Sequence, residues 1–324
     1  QLGDDERATA GYQEALAIYS GLIGKQGERD ADGANADDVI AVARIHNELG
    51  KLRRDWRGSD DAMEHFRTAE SMLESLAKQT PTVAGRFELA RNYYLQVQRQ
   101  SRRPRGGRGD RSERGDGDNQ GDSNERSERG DQEDRNDRGD RSDRGDRNDR
   151  EASEEMLYDA AHLVEELRDE SPNEPEFQHL LGLVYMQGAS LYRRSDPELS
   201  EAYWEYAVSI LEELDASHRK NPEYAYAVCW ALSSGWPGDT NVSEYDWQLY
   251  AKRLEQARRR ASLLVEAHPN VPQYRALYGM INHRLGSVLG RLDRHDEAVV
   301  HYREALGAST ALVECFPDEG RRPW

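Results

Sequence analysis

The side chains able to do chemistry are scattered along this sequence rather than assembled. Its nine histidines include no HExxH pattern, and none pairs with a cysteine at metal-ligand spacing. His46 and His283 fall at similar places on two helices and read as satisfied or solvent-facing side chains. Cys229 and Cys315 lie far apart and suit a reducing compartment or burial as small hydrophobes. Carboxylate pairs such as Glu165-Glu166 and Glu212-Glu213 are what an acidic helix surface supplies by default. General acid–base work would need a pocket around such a pair. No GxSxG, no phosphate-binding glycine loop and no GxGxxG between strand and helix occurs. The expectation is therefore a chain with no catalytic residues, no metal and no cofactor.

The segment 101–150 has a different composition, with 14 arginines, 15 acids and no aliphatic or aromatic residue. Nothing in it offsets the entropy of ordering, so it is expected to be a disordered insert. Its five Arg-Gly-Asp triplets, such as Arg138-Gly139-Asp140, follow from composition and do not make an adhesion motif. Arg105-Gly106-Gly107 has the composition of an RNA-binding Arg-Gly segment. The interleaved acids oppose phosphate, and no aromatic is present to stack on bases. Because the insert is nearly neutral, the rest of the chain carries almost all of the net charge of −18, which disfavours nucleic acid as a partner.

What positions the remaining side chains is a set of helix pairs. Leu285 to Pro317 reads as two helices around a tight turn. Leu285 and Gly286 close the first, and Ala298, Tyr302 and Ala305 share one face of the second. Pro317 stops the run. Leu49, Gly50, Ala62, Phe66, Ala69 and Pro81 repeat the pattern: Gly50 to Ala62 spans 12 residues, as does Gly286 to Ala298. Ala62 to Pro81 spans 19, as does Ala298 to Pro317. A second match pairs SPNEPEFQHLLG with HPNVPQYRALYG. These positions resemble the tetratricopeptide repeat, with a period longer than the usual ~34 residues. The resemblance implies an all-α, right-handed solenoid of antiparallel helix pairs with one long disordered insert.

In chain order this gives helical repeats over 1–100, the insert over 101–150, further repeats over 151–317 and a tail over 318–324. Five pairs plus an opening half are expected. The first residues align with a second helix, so the chain reads as part of a longer protein. The insert falls in the turn inside one pair, where a long loop disrupts no packing and closure costs grow slowly with length. In the helix after it, Leu157 and Ala160 precede Pro172 as Tyr302 and Ala305 precede Pro317. Ala202, Tyr206 and Ser209 are expected on the packing face of the helix from about Glu198 to Arg219. Ser243 with Asp246 forms a candidate capping box. Among the aromatics between Tyr203 and Tyr250, Trp236 is the candidate for an exposed anchor.

By that resemblance, ligands bind in the concave groove lined by the first helices of each pair. Carried over by position, the groove residues are Arg44, Asn47, Lys51 and Arg54, then Ser190, Arg193 and Arg194, then His283 and Ser287. Several are basic in an acidic chain, which suggests an acidic peptide segment or a partner protein as ligand. Basic residues near helix C-termini also complement the dipole, as at Arg54, Arg193 and Arg194. The expected function is a non-catalytic protein–protein interaction scaffold. The stretches YREALGASTALVECFPD and HPNVPQYRALYG are also similar to long-period repeat arrays that follow serine/threonine protein kinase domains in some bacteria. That likeness implies a regulatory or partner-recruiting region of a larger kinase whose own motifs are not in this sequence. No apolar run reaches the ~18 residues of a membrane helix, and a cytoplasmic location is favoured.

Overall fold

The computed structural model describes residues 2–27, 35–52, 59–101, 130–235 and 243–315. Among the described residues there are eleven α-helices and no strand. They are α1 (Leu2–Gly27), α2 (Ala36–Leu52), α3 (Ser59–Gln79), α4 (Val83–Ser101), α5 (Gly130–Glu170), α6 (Pro175–Tyr192), α7 (Pro197–Ser217), α8 (Pro222–Ser234), α9 (Glu244–Ala267), α10 (Pro272–Arg291) and α11 (His295–Cys315). Each helix packs on the next in the chain, the arrangement of an α-solenoid. From α2 onward the backbones of successive even-numbered helices also approach one another closely, whereas among the described residues no two odd-numbered backbones do, and α7 and α9 meet through side chains alone. The even helices therefore form an inner row and the odd helices an outer row.

Local sequence explains where the helices start. Pro175, Pro197, Pro222 and Pro272 each open a helix, where the missing N–H costs nothing and φ is already set. Asp196 caps α7 by accepting from Leu199 N at 3.0 Å. Ser243 and Asp246 form the reciprocal capping box at α9. The turns into α8 and α10 are near copies. His218 and His268 cap the preceding helices through the carbonyls of Leu214 and Leu264, and each sets its ring edge-on to a tyrosine, Tyr224 and Tyr274, at 5.8 Å. Between α10 and α11, Asp293 takes a left-handed conformation at φ 57.

The pairs close at the expected glycines. A Cβ on Gly50 would lie 2.6 Å from the Phe66 ring, and one on Gly286 would lie 3.0 Å from Tyr302 and 3.1 Å from the Ala298 carbonyl oxygen. Ala62, Ala69, Ala298 and Ala305 are buried at the same crossings, as are Leu49 and Leu285. Leu157 and Ala160 are buried in α5, and the helices on either side of the insert, α4 and α5, pack together.

Two expectations change. Helix α5 starts at Gly130, inside the segment read as disordered to residue 150. Extending an already packed helix adds one hydrogen bond per residue without a new nucleation cost. Residues 102–129 lie outside the described residues, as do Arg54, Trp236 and Pro317. In α7 the register is two residues off: Tyr206 is 64% exposed, Ser209 is exposed, and Ala202 is only half-buried. The buried face is Trp204, Ala207 and Leu211, and Ser200 Oγ donates to the Ala189 carbonyl at 2.7 Å. Ser200, Trp204 and Ala207 follow Gly188 by the same 12, 16 and 19 residues that separate Gly50 from Ala62, Phe66 and Ala69.

Candidate ligand-binding face

The inner row carries two polar regions of different character. The first joins α2 to α4. Asn47, Glu88, Asn92 and Gln96 are all essentially buried. Asn47 Nδ2 donates to Glu88 Oε1 at 2.9 Å, and Asn92 Nδ2 donates to Asn47 Oδ1 at 2.6 Å and to the Phe66 carbonyl at 2.9 Å. Gln96 Nε2 extends the chain to Asn92 and, at 2.9 Å, to Glu70. Arg44 Nε donates to Glu88 Oε2 at 3.3 Å and Arg91 Nη1 to Glu88 Oε1 at 2.7 Å. Arg91 also pairs with Glu48, which Lys51 reaches at 2.9 Å.

This network is satisfied from within. Burial works to raise the Glu48 pKa, but the hydrogen bonds and charges of Lys51 and Arg91 outweigh it and hold the carboxyl below its usual range. Burial likewise opposes the Arg91 charge, and Glu88 and Glu48 more than restore it. Of the residues expected to face a ligand here, Asn47 is instead a buried tie between helices, while Arg44 and Lys51 are exposed and paired with carboxylates of the same chain. Next to them His46 Nδ1 lies 2.9 Å from His65 Nδ1. Burial and the neighbouring His65 lower the His46 pKa. The matching pair in the last repeat is Asn282 Oδ1 and His301 Nδ1, 3.0 Å apart.

The second region lies where α6, α8 and α10 meet. The Ser233 carbonyl, near the end of α8, accepts from Tyr250 Oη at 2.7 Å and from Arg284. Burial pushes the Tyr250 hydroxyl up to about 12, against the pull of Arg284, Arg193 and Arg253. Arg193 and Arg194 are exposed at the end of α6. Burial and the like charges of Arg194 and Arg284 lower the Arg193 guanidinium below its ordinary value. Arg193, Arg194 and Arg284 form no ion pair among the described residues. Arg253, by contrast, stacks 3.9 Å over Trp204 and pairs with Glu201, and Arg260 holds Asp215 and Glu212.

Of the other expected groove residues, Ser190 is exposed, Ser287 is half-buried, and His283 is exposed with its ring 5.7 Å from that of Tyr302. Arg284 and Trp230 were not expected. Trp230 is 40% exposed on α8, one turn before Ser233. Arg284 directly follows His283, and carrying positions over one by one from a repeat passes it by. The α4 ladder was readable in principle, since Glu88, Asn92 and Gln96 recur at i, i+4 and i+8 in a helix that otherwise buries apolar residues.

Concavities along α3 (Asp61, Glu64, Arg67) and α11 (Ser309, Thr310, Val313) are each lined by one helix, so neither converges groups from different elements. No cluster of three or more metal-ligating side chains occurs among the described residues. Burial raises the Cys229 thiol to about 12, so it is a poor nucleophile at neutral pH. No described helix is long and apolar enough to cross a membrane. No protein-family model matches the chain, and no curated protein matches it.

Proposed function

We propose that this chain is a non-catalytic protein-interaction scaffold, a tetratricopeptide-like right-handed solenoid whose even-numbered helices line a concave groove for a peptide segment or partner protein. The observation that carries the reading is the row of even-numbered helices in mutual contact, since residues pointing out from a shorter inner row converge on one ligand. The glycine–aromatic crossings at Gly50 and Phe66 and at Gly286 and Tyr302, at identical offsets, support the repeat assignment. A selection from a random peptide library on the full chain, followed by hydrogen exchange with and without the selected peptide, tests it. Protection confined to α2, α4, α6, α8 and α10 is the expected result. Protection of the odd-numbered helices, or a binding requirement for residues 101–150, would refute it.

A second reading rests on the likeness of YREALGASTALVECFPD and HPNVPQYRALYG to kinase-associated arrays. There the same face recruits partners for a serine/threonine kinase domain encoded in the same reading frame. Finding VAIK-, HRD- and DFG-type motifs in that frame supports it, and their absence leaves the free-standing scaffold.

A further inference from the structure

We infer that the end of α8, flanked by Arg193 and Arg194 in the turn after α6 and by Arg284 of α10, is where the inner face holds an acidic peptide segment of a partner protein, with Trp230 as the apolar contact. The inference rests on the reading of the inner row as the ligand-binding face, and it places the ligand in the second half of the array.

Charge pairing distinguishes the two halves. Around α2 and α4, Arg44, Arg91 and Lys51 are each within hydrogen-bond distance of a carboxylate of the same chain. Arg193, Arg194 and Arg284 have no carboxylate among the described residues, although the chain carries 62 acids against 44 arginines and lysines. Three guanidiniums gathered without an ion pair among the described residues make a basic patch on an acidic chain.

The carbonyl ends of α6 and α8 attract some positive charge. One donor on Ser233 already serves the end of α8, and Tyr250 supplies a second. Arg193 and Arg194 come in addition; burial first, and then the like charges of Arg194 and Arg284, work against the Arg193 charge, and a bound anion would offset that repulsion. A guanidinium carries five N–H donors, and Arg284 spends one of them on Ser233, so it can still fork onto a carboxylate. Its position is fixed by the carbonyl that it shares with the buried Tyr250.

The occupant follows from charge complementarity and scale. Long polyanions such as nucleic acid meet the net charge of −18 over their whole length. A short acidic segment spans little more than the Debye length of ~8 Å at physiological salt, so it responds chiefly to the nearby arginines. Trp230, 40% exposed and one turn before Ser233 on the same helix, offers an aromatic face suited to an apolar side chain between two acids.

The test is fluorescence anisotropy on the full chain. The probe is a short fluorescein-labelled peptide of Asp and Glu around one Leu, with an Asn/Gln counterpart as control. Saturable binding of the acidic peptide is expected, weakened about tenfold or more by Arg193→Glu with Arg284→Glu. Arg259→Glu, on the outer row, should leave it unchanged. Should Arg284→Glu loosen the α8–α10 contact, Arg193→Gln with Arg194→Gln preserves the Ser233 bond and should still weaken binding severalfold. Equal binding by all variants, or equal binding of the Asn/Gln peptide, overturns the inference. No acidic binding, with neutral or basic library peptides protecting the inner row, overturns the ligand chemistry while sparing the face. A library yielding no inner-row ligand overturns the face as well.

Discussion

Alanine at Gly50 is the sharpest test of how the helix pairs close. The new Cβ would sit 2.6 Å from Cε1 and Cζ of Phe66. Carbon atoms in contact prefer about 3.5–4.0 Å, so the ring or helix α2 must retreat by about 1 Å. Phe66 is 1% exposed and is packed with Met63 and Leu95, so it has no space to retreat into. Overpacking of this kind costs about 1–3 kcal/mol. Against it stands the helix propensity of alanine over glycine, about 1 kcal/mol. The net expectation is a loss of up to about 2 kcal/mol. Gly307, exposed in α11 with nothing within 4 Å of a Cβ, supplies the control. Gly307→Ala should gain the propensity term alone, up to about 1 kcal/mol.

Urea melts followed by circular dichroism measure both variants. Hydrogen exchange in α2 and α3 guards against a stacked array unfolding in parts. The decisive comparison is a double-mutant cycle with Phe66→Leu, which removes the ring. In that background Gly50→Ala should be neutral or stabilising, giving a coupling energy of about 1 kcal/mol or more. If Gly50→Ala matches Gly307→Ala in both backgrounds, close approach to Phe66 is not what requires glycine there, and the repeat assignment loses its physical basis.

Further outcomes follow from the same contacts. Trp204→Ala removes a buried ring, its 2.8 Å bond to the Ala231 carbonyl and the stack with Arg253, and should cost about 3–5 kcal/mol in a urea melt. Tyr206→Ala, at an exposed site, should cost less than about 1 kcal/mol, and the reverse order would restore the register read from sequence. The folded-state pKa of His46 is lowered, so the unfolded chain binds its proton more readily. The stability it contributes is complete above the ordinary histidine value of about 6.5 and is lost as pH falls through it. His46→Asn installs the amide–histidine pair seen at Asn282 and His301 and should flatten part of the decline in urea midpoint between about pH 8 and pH 5.5. An unchanged slope would show that the His46–His65 contact is not its source. At Asp293, glycine should stabilise by about 0.5–1 kcal/mol and valine should destabilise by about 1–2 kcal/mol, read by thermal melting, because only glycine takes a positive φ without cost.

Sequence revealed what depends on residue type over short distances. The Gly50–Phe66 and Gly286–Tyr302 crossings were legible because a missing Cβ and a flat ring are complementary at a fixed spacing. Helix starts were legible through proline and the Ser243–Asp246 box. The α7 register was missed because Ser200 and Trp204 stand where the first pair has Ala62 and Phe66, while Ala202 and Tyr206 mimic the pattern two residues on. Serine fits the crossing because its hydroxyl finds the Ala189 carbonyl. The role of Asn47 was hidden for another reason. Its partners Glu88 and Asn92 lie 41 and 45 residues ahead, and only folding brings them within reach.

The two polar regions of the inner row show why position within a repeat does not define a binding residue. Arg44 and Arg193 were both assigned to the groove, and both are exposed arginines. Arg44 is held by Glu88, whose own burial is tolerable only because Asn47, Arg91 and Arg44 surround it. Pulling Arg44 toward a ligand would strip a buried carboxylate of a partner, so any anion bound there competes with the fold. Arg193 has no such obligation, and an anion bound to it relieves repulsion from Arg194 and Arg284. The same residue type at comparable exposure is thus structural in one half and available in the other. What decides between them is whether the neighbouring helix supplies a carboxylate.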